Sequence, residues 1–488
     1  MVVSDQDEVW LKASVSSVLN AVYPHVELCV FDDGSGRPHV AEFLEDLAAS
    51  DGRVRVARAR ESVGASEARD RALSLATGNF VMLLGAGDLL APEAILRMLE
   101  AQQKTGADVL YADEDSVDIS DRRSAPVFKP YWSSDLLLAT MYVGRPCAIR
   151  RTLVEEVGGL GGGPGGAGEH DMMLRISERT DLISHVPGVF YHRRRYGPYP
   201  EGETGGPLRA SDAAVREALE RRDVRAEVGP GRVTGSVRVA RYLSDHPTVS
   251  VIIGVDEGRV AASASELDRS GDSLLHEVIT VMGMFDASAV NRATGKASGE
   301  YLLFLRNYRE IESPDFLVEL LREAQRPEVG AVGGQVSTAN GLIRYGGSLI
   351  GLSRLTGSPP FVLPSGGARS FLPVVDHAFN PYAVSAECLM VRRSLFEEMG
   401  GFDEAHLPGN FYDLDLCFRL RQKGLLNVFV PGARVVVGEE EPALPTAAEI
   451  EYMWSRWWSA LVKALHYEVS PLHATEDVEA SIMYSSPV

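Results

Sequence analysis

Short apolar runs alternate with amphipathic stretches along the first 105 residues. "VELCVF" (26–31) and "NFVMLL" (79–84) are rich in β-formers and predict strands. "EARDRALSLA" (67–76) has helical spacing, and "PEAILRMLEAQQ" (92–103) predicts a helix with Pro in its first turn. This β-α-β-α order predicts an α/β fold with a mostly parallel sheet flanked by helices. Ligands on such sheets lie at the carboxyl ends of the strands, where "DDGS" and "GAGD" both fall.

The second half of the chain repeats motifs of the first half in the same order. The matching pairs are "VELCVFDDGS" (26–35) with "HEVITVMG" (276–283), "ATGNFVMLL" (76–84) with "ASGEYLLFL" (297–305), "IRRTLVEEVGG" (149–159) with "VRRSLFEEMGG" (391–401), and "HVPGV" (185–189) with "VFVPGA" (428–433). One match would mean little, but an ordered series indicates two copies of one domain.

The repeat predicts the domain organisation. The predicted segments are a first domain at 1–192, a partly ordered linker with one helix at 193–246, a second domain at 247–440 and a helical extension at 441–488. The glycine-rich stretch 158–170 is either a mobile lid or a tolerated surface loop. Alignment of the copies places "MVV" opposite "VII" (251–253), so the leading strand of the first copy is expected to be short.

Composition narrows the class of protein. The chain has 68 acidic and 48 basic residues, and its net charge of −20 argues against general nucleic-acid binding. The four cysteines lie singly in apolar stretches, which predicts reduced core residues in a cytosolic protein. No apolar run is long enough to span a bilayer, so we expect a soluble protein that could still attach peripherally to a membrane complex.

Several motifs together carry a family resemblance: "VELCVFDDGS", "VGASEARDRALSLATGNFVMLL", "DVLYADEDSVD", "FKPYWSSDLLLATMYVG", "CLMVRRSLFEEMGGFDE" and "DLDLCFRLRQKG". As a set they resemble the family 2 glycosyltransferases of GT-A fold, and more closely the tandem-domain members associated with bacterial O-antigen and other surface polysaccharides. The resemblance implies two GT-A-like domains. It also implies transfer of a sugar, with inversion, from a nucleotide-sugar donor to a glycan or lipid-linked acceptor. The implied location is the cytoplasm or the inner face of the membrane, within a polysaccharide-assembly complex.

The resemblance assigns nucleotide contacts in the first copy. "DDGS" makes Asp32 and Asp33 candidates for binding the donor, with Gly34 permitting a tight turn. The alternative is that these residues only form a turn, since Asp, Gly and Ser dominate turns. Arg69 is placed either to approach the diphosphate or to support its helix.

The metal-binding loop of the family departs from its pattern in this chain. Aligning Leu84 with the family motif places Gly85 and Gly87 where two carboxylates would bind a divalent cation, Mn²⁺ or Mg²⁺. Asp88 remains, either as a weak metal ligand or as a cap of the following helix. His192 is the candidate to complete the metal shell, and otherwise has a structural role. The arginines at 193–195 could balance a diphosphate without a metal.

Acidic residues are also the candidates for the catalytic base that activates the acceptor hydroxyl. The family places this carboxylate six residues before an Arg, which selects Glu169 in the first copy, with Asp171 close by, and Asp413 in the second. Alternatively, these acids form structural salt bridges with Arg175 and Arg419.

The stretch "YADEDSVD" adds a dense acidic cluster before the proposed base. The resemblance places Asp113 and Asp115 on a strand beside the sugar and acceptor. The alternative is that they are simply solvated.

The second copy has lost more of the family pattern. "MGMF" (282–285) replaces "DDGS", and "RNYRE" (306–310) carries no carboxylate where the metal motif needs one. The leading hypothesis is therefore an active first domain beside a second domain retained for scaffolding or acceptor binding. A catalytically inactive acceptor-binding or scaffold protein is the second hypothesis, and a nucleotide-binding regulator the third. Convergence of the candidate residues on one pocket would favour catalysis.

Overall fold

The computed structural model describes most of the chain. The described residues are 1–160, 168–196, 211–244, 246–254, 274–341, 343–345, 376–438 and 444–472. Residues 161–167 of the glycine-rich stretch and residues 197–210 of the predicted linker lie outside these ranges. The chain divides into two compact units, the first formed mainly by residues 1–224 and the second by most of the chain from Val239 onward.

The first unit alternates strands and helices from its start. Its elements are β1 (Val2–Val3), α1 (Glu8–Leu19), β2 (Leu28–Asp32), α2 (Pro38–Ser50), β3 (Val54–Arg58), α3 (Ala65–Ser74), β4 (Phe80–Met82), β5 (Leu89–Leu90), α4 (Ala94–Thr105), β6 (Val109–Val117), β7 (Arg123–Val127), α5 (Ser134–Ala139), β8 (Cys147–Arg150), α6 (Arg151–Glu156), α7 (Gly168–Ile176), β9 (Ile183–Arg194) and α8 (Asp212–Arg221). The strands and helices predicted before residue 105 are all present. Pro92, however, precedes the helix, which begins at Ala94.

Strand pairing in the first unit is mixed. Strands β1, β2 and β3 pair in parallel, as the β-α-β order predicts. A second sheet has the order β4-β8-β6-β9-β5, with β7 added on β6. In it only β6 and β9 run parallel, because β8 returns antiparallel between β4 and β6. A parallel bridge between Val2 and Gly85 connects the two sheets.

The core of the first unit lies around β6. Every residue of this strand is buried, which is expected of a central strand covered on both faces. Helix α4 turns Ala94 and Met98 inward and ends at Gly106, whose positive φ of 68° closes the helix in the left-handed region. The carboxyl ends of β2, β4 and β6 thereby come to one edge of a rigid framework.

Helix α8 lies in the region that the sequence predicted as a linker. The hydroxyl oxygen of Ser211 accepts a hydrogen bond from the Ala214 amide and caps the helix, as its sequence predicts. A two-stranded sheet follows, made by β10 (Ala226–Pro230) and β11 (Val237–Arg241). The predicted domain boundaries themselves stay a prediction.

The second unit repeats the order of the first. Its elements are β12 (Val249–Gly254), β13 (Leu275–Val281), α9 (Ala287–Thr294), β14 (Tyr301–Leu305), β15 (Tyr308–Ile311), α10 (Phe316–Ala324), β16 (Val329–Thr338), β17 (Ile343–Tyr345), β18 (Leu389–Arg392), α11 (Arg393–Glu398), α12 (Tyr412–Gln422), β19 (Leu426–Val437) and α13 (Ala447–Leu472). Its sheet has the order β13-β12-β14-β18-β16-β19-β15, with β17 on β16. None of the described helices has both the length and the apolar composition that crossing a membrane requires.

The leading strands of the two units differ. In the second unit β12 pairs in parallel with both β13 and β14, so that the sheet is continuous. In the first unit β1 pairs with β2 and reaches the segment after β4 only through the bridge at Gly85. The two residues of β1 thus pair on one side with β2, whereas β12 pairs on both sides.

Equivalent hydrogen bonds in the two units support the internal repeat. The Nε of Arg151 donates to the carbonyl oxygen of Gly78 at 2.9 Å, and the Nε of Arg393 donates to that of Gly299 at the same distance. Both arginines begin a short helix, and both glycines precede a strand that runs antiparallel to the strand before that helix. The sequence motifs that matched in pairs thus form the same contact twice.

Candidate active site in the first unit

The "DDGS" loop is held in place by its own side chains. Asp33 accepts hydrogen bonds from the Ser62 hydroxyl and the Val63 amide, both at 2.7 Å. Gly34 has a φ of +72°, and a Cβ at this position would lie 2.8 Å from the Ser62 backbone nitrogen. The close approach of the two loops thus requires glycine. The Asp33 carboxylate fixes this approach, which is the structural role considered as an alternative.

Asp32 is also engaged within the protein. It is buried, accepts a hydrogen bond from the Ser35 amide at 2.9 Å and pairs with Arg58 at 2.9 Å. The turn alternative therefore accounts for both aspartates, and a nucleotide contact by either of them stays a prediction.

Asp88, the remaining acid of the family's metal loop, does not cap the following helix. The N-cap position of α4 is Glu93, five residues further along the chain. Instead, Asp88 accepts a hydrogen bond from the Tyr191 hydroxyl at 2.5 Å and another from the Arg194 amide at 2.8 Å. The capping alternative is wrong because β5 separates the loop from the helix, and the carboxylate turns toward β9.

Arg145 links this loop to the proposed base. Its guanidinium donates to Glu169 at 2.6 Å and lies 3.9 Å from Asp88 and 3.5 Å from the Tyr191 hydroxyl oxygen. Arg69 adds a second positive charge 3.7 Å from Glu169. Asp88 and Glu169 therefore converge on one guanidinium.

This guanidinium controls the ionisation of Glu169. Burial raises the pKa of Glu169, but the charge and hydrogen bond of Arg145, helped by Arg69 and Arg193, outweigh burial and lower the pKa below its usual value. Glu169 is therefore a carboxylate at neutral pH, and its basicity is weakened while Arg145 is bound.

The salt-bridge alternative is correct for Asp171 and wrong for Glu169. Asp171 pairs with Arg175 at 2.7 Å, one helical turn further along α7. Arg175 also donates to the carbonyl oxygens of Val157 and Gly159. Asp171 thus has a structural role, whereas Glu169 lies on the adjacent face of the helix and points to Arg145.

The acidic cluster of β6 is buried rather than solvated. Asp113 pairs with His185 at 2.8 Å and accepts hydrogen bonds from the amides of Lys129 and Gly188 at 2.9 and 3.1 Å. Asp113 thus joins β6 to the start of the β9 bulge. The alternative of solvated side chains is wrong, because Asp113 and Asp115 are each only 3% exposed.

Glu114, between Asp113 and Asp115 on β6, lies close to the group formed by Arg145, Asp88 and Glu169. It accepts a hydrogen bond from Arg193 at 3.0 Å and from the Arg145 amide at 3.2 Å, and it lies 3.7 Å from the Lys129 ammonium. Burial raises the pKa of Glu114, but the charges of Lys129 and Arg193 outweigh burial and lower it. A buried, fully compensated carboxylate here supports the backbone that carries Arg145.

Asp115 and His192 bind each other. The Nδ1 of His192 lies 2.6 Å from Asp115, which also pairs with Arg123 at 2.6 Å. Among the described residues, no three His, Cys, Asp or Glu side chains form a group that could hold a metal ion. Asp88 and His192 therefore do not share a metal site in this part of the chain.

A cavity of about 900 Å³ lies beside the Arg145 cluster. Arg69 and Arg145 line its polar part together with Gln6, and apolar side chains such as Leu28 and Met82 line the part between β2 and β4. This volume lies within the usual range for small-molecule sites, which is about 300 to 1,000 Å³. The cavity lies between β2 and β4, the position that β12 fills between β13 and β14 in the second unit.

The corresponding acids of the second unit are engaged in packing. Asp413 accepts a hydrogen bond from the Ala386 amide at 2.8 Å. Asp415 pairs with Arg419 at 2.7 Å and accepts a hydrogen bond from the Trp457 indole at 2.9 Å. Arg419 also donates to two carbonyl oxygens, so that it forms the same clamp as Arg175. Asp413, proposed as a second base, is buried at a backbone contact.

Sequence reasoning missed Arg145 because no family motif was matched to it. A signal was nevertheless present, since Arg145 is the sole charged residue between Asp135 and Arg150 in "DLLLATMYVGRPCAIR". A single arginine in so apolar a stretch requires an acidic partner or a ligand.

Comparison with known proteins supplies the family. Residues 3–158 match the model described as Glycosyl transferase family 2. The chain is 33% identical over 468 residues to the O-antigen biosynthesis protein RfbC of Myxococcus xanthus, covering 89% of this chain and 36% of that protein. It is 30% identical over 506 residues to the uncharacterized protein y4gI of Sinorhizobium fredii, covering 93% of this chain and 55% of that protein.

A shorter match involves an enzyme of Mycobacterium tuberculosis, N-acetylglucosaminyl-diphospho-decaprenol L-rhamnosyltransferase. The identity is 37% over 89 residues, which cover 16% of this chain and 29% of that enzyme. The chain thus spans about a third to about half of the length of the two relatives that it matches almost end to end. Residues 3–158 thus match the family 2 glycosyltransferases, and the chain as a whole, with its two α/β units, is similar to an O-antigen biosynthesis protein.

Proposed function

We propose that the first unit transfers a sugar from a nucleoside-diphosphate donor to a hydroxyl of a glycan or lipid-linked acceptor during cell-surface polysaccharide synthesis. The observation that carries the proposal is the convergence of Glu169 and Asp88 on Arg145. Asp33, Asp88, Glu169 and His192 do not line the cavity between β2 and β4, which only Arg145 and Arg69 of this group reach. Glu169 belongs to the motif of the proposed base and Asp88 to the metal-binding loop, and the two are far apart in sequence. The match to a family 2 domain and the similarity to an O-antigen biosynthesis protein support the same reaction class.

In this proposal Glu169 acts as the general base. It would take the proton of the acceptor hydroxyl while the hydroxyl oxygen attacks the anomeric carbon, and the nucleoside diphosphate would leave from the opposite face, with inversion. The donor would bind beside Arg69 and Arg145, with its phosphates toward the two guanidinium groups. Nucleotide contacts by the "DDGS" loop, site contacts by Asp113 and Asp115, and peripheral attachment to a membrane complex belong to the same proposal.

The test is the release of nucleoside diphosphate from a panel of UDP-, GDP- and dTDP-sugars by the full chain, with total bacterial lipid or glycan as acceptor. Glu169→Gln is expected to lower turnover at least about 100-fold, the usual effect of losing a general base, while the donor still binds. The matched control is Glu156→Gln, since Glu156 is an exposed residue paired with Arg179 at 3.7 Å. Unchanged turnover in Glu169→Gln would refute the assignment of the base.

The second candidate is an inactive protein that binds acceptor glycan or holds a biosynthetic complex together. The ion pair that weakens Glu169 as a base favours it, as does the loss of both metal-motif carboxylates. Acceptor binding without release of any nucleoside diphosphate across the panel would support it. Turnover that depends on Glu169 would exclude it.

A further inference from the structure

The space that a side chain at position 85 would need is already occupied by neighbouring side chains. A Cβ built on Gly85 would lie 2.1 Å from the Oδ2 of Asp88 and 3.1 Å from an Nη of Arg145. Asp88 cannot easily move aside, because Tyr191 and the Arg194 amide both hold it. A carboxylate at position 85, as the family motif places it, would therefore displace this arrangement.

The backbone conformation of Gly87, the second glycine in the motif, also disfavours a side chain. Gly87 has a φ of +106°, a conformation that residues with a Cβ rarely adopt. Because Asp88 turns toward Arg145 and His192 toward Asp115, the residues present at this loop do not fit a divalent cation.

A guanidinium lies where the metal loop and the base meet. The Arg145 side chain is 13% exposed and lines the cavity together with Arg69. A guanidinium nitrogen of Arg145 lies 2.6 Å from a carboxylate oxygen of Glu169. The shortest distance from the guanidinium to the Asp88 carboxylate is longer, at 3.9 Å. A planar guanidinium offers several N–H donors, and it suits phosphate oxygens because it can bind two of them at once.

We propose that Arg145, assisted by Arg69, binds the diphosphate of the donor directly, so that a guanidinium does what a divalent cation would do on an intact metal loop. This inference rests on the proposed function. A diphosphate at Arg145 competes with Glu169 for the same guanidinium. Donor binding therefore frees Glu169 from its ion pair with Arg145. The free energy of this exchange depends on how strongly Asp88 and Glu169 attract the guanidinium.

The first experiment measures nucleotide affinity without a metal. The full chain is titrated calorimetrically with UDP, GDP, CDP and dTDP, in EDTA and then in Mn²⁺. The expected result is a dissociation constant for the preferred nucleotide that changes less than about threefold between the two conditions, because no metal ligand set is required. Binding that needs Mn²⁺ overturns the inference but leaves the proposed function standing.

Variants of the arginine provide the second comparison. Arg145→Gln is expected to weaken nucleotide binding about 100-fold, and Arg145→Lys about tenfold, because lysine keeps the charge but loses the two-pronged contact. The matched control is Arg150→Gln, which removes an arginine paired with Asp108, the residue just before β6. Equal affinities in Arg145→Gln and Arg150→Gln, with both variants folded by circular dichroism, would overturn the inference.

Proton uptake gives a readout that a merely structural role for Arg145 would not move. When Arg145 leaves Glu169, its charge no longer opposes burial, so the pKa of the Glu169 carboxyl rises and the carboxyl takes up protons. Calorimetry in two buffers of different ionisation enthalpy is expected to show uptake in the parent and in Glu156→Gln but not in Glu169→Gln. Glu169→Gln should also bind the nucleotide more tightly. No uptake in the parent would overturn the exchange, and no nucleotide binding under any condition would overturn the inference together with the proposed function.

Discussion

The absence of a side chain at Gly85 is required by the contacts of the surrounding loop. In the structure a Cβ at this position would lie 2.1 Å from the Oδ2 of Asp88 and 3.1 Å from an Nη of Arg145. The glycine is thus part of a rearranged site and not merely a loss. A side chain there would push on two groups that are both held by other bonds.

This reading predicts the effect of adding one methyl group. Gly85→Ala is expected to destabilise the first unit by about 1–3 kcal/mol, the usual cost of inserting a group into a packed site. The measurement is urea unfolding followed by circular dichroism. Gly52→Ala is the matched control, because nothing lies within 4 Å of a Cβ at that position. Equal unfolding midpoints for the two variants would show that Asp88 and Arg145 can move apart freely.

The residue scale also shows what could be predicted from the sequence. The motif spacing placed Glu169 and Asp88 in one site, because family patterns fix which residues face the carboxyl edge of a sheet. The partner of Glu169 could not be predicted, since Arg175, the nearest arginine along α7, pairs at helical spacing with Asp171 instead. Only the fold shows that Arg145, from the turn before β8, reaches the base.

At the scale of elements, an arginine clamp fixes the loop that precedes each base helix. Arg175 joins Asp171 to the carbonyl oxygens of Val157 and Gly159, while Arg419 makes the same contacts in the second unit. The clamp holds the start of α7, and so it holds Glu169. The elements themselves were predictable, because strands and helices follow local periodicity, but the antiparallel return of β8 follows from tertiary pairing.

The clamp yields a stability prediction. Arg175→Met is expected to destabilise the first unit by about 3 kcal/mol, because it leaves Asp171 and two carbonyl groups without their half-buried partner. Arg179→Met, at an exposed pair with Glu156, is expected to cost less than about 0.5 kcal/mol. Thermal and urea unfolding of both variants give the comparison. A similar loss in the two would mean that the clamp adds nothing beyond surface charge.

At the scale of the whole molecule, two copies of one architecture have separated in their chemistry. The first unit keeps a carboxylate on a cationic centre beside a cavity, whereas Asp413 of the second unit accepts a backbone amide. The repeat could be read from the sequence, because the motifs that match in pairs are those that pack. The site chemistry could not be read in the same way, because it depends on contacts between elements distant in the chain.

This difference predicts an asymmetric response to mutation. Asp413→Asn is expected to destabilise the second unit by about 1–2 kcal/mol through its weakened bond to Ala386, with nucleotide affinity and turnover unchanged. Glu169→Gln is expected to do the reverse, with turnover lost and stability nearly kept. Urea unfolding and nucleotide titration of both full-length variants test this contrast. A loss of nucleotide affinity in Asp413→Asn would place a donor site in the second unit.

The paired contacts from Arg151 to Gly78 and from Arg393 to Gly299 have a consequence for building new proteins from this one. Each contact joins an arginine side chain to a backbone carbonyl, so it does not depend on the side chain carried by the strand it holds. The repeated joints therefore mark natural crossover points. A chimera that exchanges the segment from Gly78 to Arg151 for its counterpart, from Gly299 to Arg393, would meet the same attachment at both ends. Recombination at these joints offers a way to exchange the loop that carries Gly85 and Asp88 for its counterpart while keeping the attachment of the segment.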